Sequence, residues 1–175
     1  MGHKVSGTRN KRQVLEYRDS QRSKVYNAER AVLWVDEILG QKITLEQATE
    51  LIHQGYRRYR PRTIERPSGL PKVVRGPAGH IAYYTQTGNK ISLPTWAWTP
   101  AVALHELAHS ITGTVCIRYK EGMHGPIFVR TLIDLVKWYS GKDVAPEFKE
   151  RKVKVASTTK AMKPLYRGHA TKLWT

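Results

Sequence analysis

The chain has one cysteine, Cys116, among 175 residues. No intramolecular disulfide is possible, which fits a reducing compartment, and Cys116 is expected to be a small buried side chain. No apolar run is long enough to span a bilayer. The first residues, MGHKVSGTRNKRQ, lack the apolar core of a signal peptide. MGHKVS fits a myristoylation pattern, read here as accidental, and a cytoplasmic location is expected. Acidic residues are also scarce, fourteen against thirty Lys and Arg, for a net charge of +16. Such an imbalance concerns partners more than fold, and nucleic acid is the commonest intracellular polyanion. Repeats and low-complexity runs are absent. With 40% hydrophobic residues the chain has enough apolar content for one soluble domain with tails.

What is present centres on WTPAVALHELAHSITGT, from Trp98 to Thr114. His105, Glu106 and His109 stand in the order H-E-x-x-H. On a helix the two histidines lie one turn apart on one face and can share a metal, with Glu106 beside them as a candidate base. Thr99 suits the N-cap, Pro100 the first helical position, and Gly113 a stop. Leu104, Leu107, Ala108 and Ile111 supply an apolar face. A catalytic zinc usually takes three protein ligands and keeps one position open. The next histidine is His124, separated by fourteen residues from the motif's last letter and just ahead of Pro126, which suits the start of a second helix. Phe128, Leu132, Leu135, Val136 and Tyr139 form that helix's stripe, and Gly141 breaks it. Glu121 is the rival third ligand, and spacing alone leaves both open.

HELAH followed by HGPIF resembles the SprT/Spartan-like zincin metallopeptidases, whose pattern is H-E-x-x-H, a loop, then H-G-P-E-F or similar. RDSQRSKVYNAE (Arg18 to Glu29) and the run from Tyr83 through LPTWAWTPAVALHELAH are more closely similar to a bacterial and phage group of metallohydrolases. The likeness covers roughly Arg18 to Tyr139. It implies Zn2+ held by His105, His109 and His124, with Glu106 as general base, in an α+β zincin-like single domain with N-terminal helices and a small antiparallel sheet. It also implies an edge strand beside the active-site helix that holds substrate in extended form; Ile91, Ser92 and Leu93 are expected there. Ile127 stands where Spartan-like proteins often carry Glu, and a four-cysteine zinc ribbon is impossible. The metzincin extension is missing as well, since Thr112 and Val115 replace its Gly and His.

The remaining segments are read in order. Residues 1–18 form a basic flexible arm. The metallohydrolase domain covers 19–141, and a basic tail covers 142–175. A helix is expected from Asp19 to Leu39, with Val25, Ala28, Val32, Val35, Ile38 and Leu39 inward and Gly40 as its end. A second helix opens with a Thr44/Gln47 capping box, buries Leu45, Ala48, Leu51 and Ile52, and closes at Gly55; His53 lies off its face. Between Tyr56 and Arg75, Arg57, Arg58, Arg60 and Arg62 interleave with Tyr56 and Tyr59, the best candidate for a nucleic-acid surface. His80 to Leu93 reads as two strands about a Gly88-Asn89 turn. His80 is a weaker metal candidate. A short strand is expected near Val153 to Ala156, and Tyr166 and Trp174 could pack back on the domain.

The expected function is a zinc-dependent peptide hydrolase, acting on DNA-bound proteins in its sharper form. Arg118 and Tyr119 are the candidates for a second donor to the oxyanion. The alternative is a basic nucleic-acid-binding protein whose zinc is structural, completed by His80 or Glu121 as a fourth ligand. A regulatory protease with one partner, such as a repressor, is a third reading.

Overall fold

The computed structural model describes residues 19–59, 69–118 and 120–157. The arm 1–18, Arg60, Arg62, Tyr119, Tyr166 and Trp174 lie outside the described residues. Among the described residues, five helices and a small sheet make an α+β architecture: α1 (Arg22–Val32), α2 (Leu45–Tyr59), β1 (Lys72–Arg75), β2 (Tyr83–Thr85), β3 (Lys90–Leu93), a 3-10 turn (Thr95–Ala97), α3 (Pro100–Arg118), α4 (Pro126–Ser140) and α5 (Ala145–Glu150). Among the described residues no helix is long and apolar enough to cross a membrane.

Helix α3 runs through the middle. Every residue from Pro100 to Gly113 is buried, because α2 and α4 pack on its flanks and β2 and β3 cover it. Thr99 begins it as expected: its carbonyl takes the Ala103 N–H at 3.0 Å and its hydroxyl the Val102 N–H at 3.4 Å. The Ala101 N–H, which has no intrahelical partner, donates to Leu39 O at 2.9 Å. Gly113 does not stop the helix, which continues to Arg118.

The capping box of α2 is reciprocal, Thr44 N–H to Gln47 Oε1 at 2.8 Å and Gln47 N–H to Thr44 Oγ1 at 3.1 Å. Gly55 does not close this helix but lies inside it. A Cβ at Gly55 would stand 2.5 Å from Leu107 Cδ2 and 3.1 Å from Trp138 Cζ3, so this glycine permits the close approach of α2 to α3 and α4.

Helix α1 is shorter than periodicity implies. It ends at Val32, and residues 33–40 turn away. Asp36 holds that turn by accepting the Ile38 and Leu39 N–H groups at 2.9 and 3.0 Å. Leu33 and Leu39 are buried, whereas Trp34, Val35 and Ile38 face outward. The apolar spacing continued past the true end because the turn also needs two anchors in the core.

The sheet has the order β1-β3-β2, with β1 parallel and β2 antiparallel to β3, so it is mixed where an antiparallel sheet was expected. Gly88 and Asn89, both with positive φ, make the turn between β2 and β3, as expected. The expectation for Ile91, Ser92 and Leu93 fails: β3 is the central strand, hydrogen-bonded on both sides, and all three residues are buried. They offer no free edge to a substrate.

Residues 142–157, the described part of the segment assigned to a tail, pack on the domain. Val144, Phe148 and Val153 are core residues, and α5 packs on α1. Residues 153–156 form no strand. They are tied down by single hydrogen bonds, Ala156 N–H to Pro126 O at 3.1 Å and Lys154 N–H to Gln21 Oε1 at 2.9 Å. Cys116 is buried as expected, and burial pushes its thiol up to about 12.

Replacing Gly55 by Ala tests the packing claim. Helix propensity alone would favour Ala by about 1 kcal/mol, and overpacking against Leu107 and Trp138 costs about 1–3 kcal/mol. Urea denaturation is expected to show a net loss of stability.

Candidate metal centre

His105 and His109 project from one face of α3, and His124 sits in the loop just before α4, whose N-cap is Gly125 and whose first residue is Pro126. All three are buried, and their candidate ligand nitrogens lie within 4.8 Å of one another. His105 Nε2 and His109 Nε2 are 3.1 Å apart. Tetrahedral zinc with Zn–N bonds of about 2.0–2.1 Å places its nitrogens roughly 3.3 Å apart, so this spacing fits a shared ion. Phe128, in the first turn of α4, lies against all three rings, with centroid separations of 5.1, 4.4 and 5.0 Å to His105, His109 and His124. It makes an apolar floor.

Two of the imidazoles are held from behind by carboxylates. His105 Nδ1 lies 2.6 Å from Glu29 Oε1, and His124 Nδ1 lies 2.5 Å from Asp19 Oδ2. Asp19 also accepts the His124 backbone N–H at 3.2 Å. A carboxylate on Nδ1 keeps the proton there and leaves Nε2 with a lone pair aimed forward, the tautomer a metal needs. His124 Nε2 is buried without a hydrogen-bond partner among the described residues. Gln21 adds a clamp: its amide donates to His124 O at 2.8 Å and to Lys154 O at 3.1 Å.

The local electrostatics agree. Burial, reinforced by the neighbouring His105 and His124, drives the His109 imidazolium well below its ordinary range, so this ring is neutral. Burial also lowers His124, against the pull of Asp19. At His105 burial acts downward, but the charge and hydrogen bond of Glu29 outweigh it and the net shift is upward.

Glu106 is buried beside the cluster. One oxygen, Oε2, has no hydrogen-bond partner among the described residues, and the carboxylate receives the Tyr84 N–H of β2. Burial pushes its pKa up to about 7, with His105 and the Tyr84 N–H pulling down and Glu29 pushing up. A carboxyl near neutrality suits general-base work.

Tyr26 of α1 covers the open side. Its ring stacks on His105 at 5.4 Å and 18° and tilts against His124 at 5.0 Å. Arg22, one turn earlier, lies over the Tyr26 ring at 5.6 Å and is hydrogen-bonded to its hydroxyl. A cavity of about 270 Å³ opens here, lined by Arg22, Tyr26, Glu29, His105 and Glu106 and continuing past Trp34, Ile81 and Trp96.

The rival ligands are placed elsewhere. Glu121 Oε2 accepts the Ile127 N–H at 3.1 Å and so caps α4. His80 is exposed, and its carbonyl takes the Trp96 indole N–H at 2.8 Å. His53 reaches Pro71 O at 3.0 Å. The Arg118 side chain, like Tyr119, lies outside the described residues. Arg57 and Arg58 are exposed at the end of α2, but Tyr56 is buried and Tyr59 packs edge-on to Trp138. The buried Tyr56 cannot stack on bases.

Sequence reasoning missed Asp19, Arg22, Tyr26 and Glu29. Glu29 carried a signal: it falls one turn after Val25 on the apolar face of α1, where an unpaired carboxylate would be costly. Asp19, in the turn before α1, carried none. Zinc titration against a competing chelator tests the whole assembly. About one zinc per chain is expected, lost in His124→Ala. Glu29→Gln and Asp19→Asn are each expected to weaken affinity about 10–100-fold. No family model, curated protein or solved structure matches this chain.

Proposed function

We propose that the chain is a zinc-dependent peptide hydrolase of the H-E-x-x-H type. The observation that carries this reading is the buried cluster of three histidines, two of them held by carboxylates, with Glu106 beside it at the wall of an open cavity. A structural zinc site prefers four protein ligands, and the cluster has three among the described residues. A zinc ion held by His105, His109 and His124 would supply a Lewis acid for a carbonyl and an acidified water.

The protein's own groups then have distinct tasks. Glu29 and Asp19 fix the tautomers and ring orientations of His105 and His124. Glu106 takes a proton from water as its oxygen attacks the carbonyl carbon, then passes that proton to the amine as the C–N bond breaks. Its partnerless Oε2 is the oxygen free to do so. Tyr26 and Arg22 line the same cavity and can donate hydrogen bonds to the carbonyl oxygen as charge gathers on it. Phe128 helps to keep the centre dry, which strengthens each of these interactions.

The net charge of +16 supports a substrate presented on nucleic acid. In that case duplex DNA accelerates cleavage of a DNA-bound protein, and added salt removes the gain. Cleavage indifferent to both would leave the peptidase and remove this refinement.

Glu106→Gln provides the direct test. Zinc content is expected to match the parent, while cleavage of fluorescein-labelled casein falls about 100-fold or more. Turnover at the parent's rate would sink the reading.

A further inference from the structure

Large apolar side chains scattered singly on a surface are ordinary, but a group of them rimming a cavity beside reactive carboxyl and imidazole groups calls for an occupant. Trp34, Trp96 and Ile81 are 42%, 43% and 70% exposed, and all three line the cavity that ends on His105 and Glu106. They come from separate elements: the turn after α1, the 3-10 turn, and the approach to β2. The two indoles meet at 6.4 Å with a 48° tilt and form one wall. Trp96 is fixed at both ends, its indole N–H on His80 O at 2.8 Å and its carbonyl on Lys42 Nζ at 2.7 Å. The wall is therefore formed before any ligand arrives.

We propose that this end of the cavity is a specificity subsite for a bulky apolar, preferably aromatic, side chain of a peptide substrate. The inference rests on the hydrolase reading and adds what that enzyme selects. Size supports it. At about 270 Å³ the cavity falls below the roughly 300–1,000 Å³ of sites that enclose a whole small molecule. It holds one side chain while the adjoining peptide bond lies at Glu106. Charge supports it too. Arg22 and Arg30 line the same cavity, and among the described residues neither has a carboxylate within ion-pairing distance. Glu29, the acid between them in sequence, is buried and bonded to His105. A lysine or arginine side chain would be repelled, and an apolar one gains the indole faces.

The experiment compares two hydroxamates on the zinc-loaded full chain by calorimetry, N-acetylphenylalanine hydroxamate and N-acetylglycine hydroxamate. Both carry the same metal-binding group and differ only in the side chain. The phenylalanine compound is expected to bind about 30-fold tighter, in line with what apolar pockets discriminate. Ile81→Ala and Trp34→Ala are expected to cut that ratio below about 5-fold, with the loss falling on the phenylalanine compound. Ile81 is so exposed that its replacement spares the fold, and zinc content with circular dichroism verifies this for both variants. Equal affinities in the parent, or a ratio unchanged in the variants, would overturn the subsite and leave the hydrolase reading standing. Displacement of the phenylalanine compound by a ten-residue oligothymidylate would assign the indole wall to nucleic acid and also overturn it. If neither hydroxamate binds the zinc-loaded chain, the open metal site is wrong and the subsite fails with it.

Discussion

The contact on which this structure depends is the 3.1 Å approach of two imidazole nitrogens, His105 Nε2 and His109 Nε2, inside a dry pocket. Glu29 claims the other nitrogen of His105, so the proton resides there and two lone pairs face each other. Such an approach is repulsive unless a positive charge sits between them. Glu29 raises His105 against its burial, while burial leaves His109 strongly depressed. A metal ion can supply that charge, because His124 Nε2 is also buried and has no hydrogen-bond partner among the described residues. Much of the surrounding structure keeps this arrangement in place: α1 brings Glu29 and Tyr26, Asp19 precedes it, and α4 contributes the Phe128 floor. Metal affinity and folding are coupled in such a design, since the unfolded chain has no preformed site.

The motif helix was the most legible part of the chain because its information is local. H-E-x-x-H needs only helical spacing, and Thr99, Pro100 and the capping box at Thr44 are short-range signals with short-range causes. The choice of His124 over Glu121 could not be made from spacing. It follows from what each does in three dimensions, Glu121 capping α4 while His124 is fixed by Asp19. Helix ends were misjudged wherever packing overrode a local preference. Gly55 and Gly113 have the character of stops, yet both lie inside buried helices, and at Gly55 the missing side chain permits close approach of the neighbours instead.

The sheet was misread for a topological reason. A hairpin in sequence says that β2 and β3 pair; it does not say that β1 returns to the far side of β3 and makes it central. Once β1 is added, the outer strand on the hairpin side is β2, and its Tyr84 N–H reaches Glu106. The strand that borders the motif helix thereby also tunes the candidate base. The basic stretch after α2 was a compositional signal, and composition does not report direction: Tyr56 turns into the core while Arg57 and Arg58 face out.

Gln21 has a wider consequence. Its one carboxamide joins the turn before α1 to the carbonyl of His124 and to both backbone groups of Lys154, spanning 103 and 133 positions of sequence. The histidine motif sits in the middle of the chain, but the clasp that seats its third member closes only when the two ends of the domain meet. Contacts of such long range form late, after their loop entropy has been spent. During synthesis the motif helix would emerge first with an unfinished centre. The candidate metal centre would be completed only when the segment around Lys154 is free to dock, so the order of assembly itself delays the seating of His124 until the two segments meet.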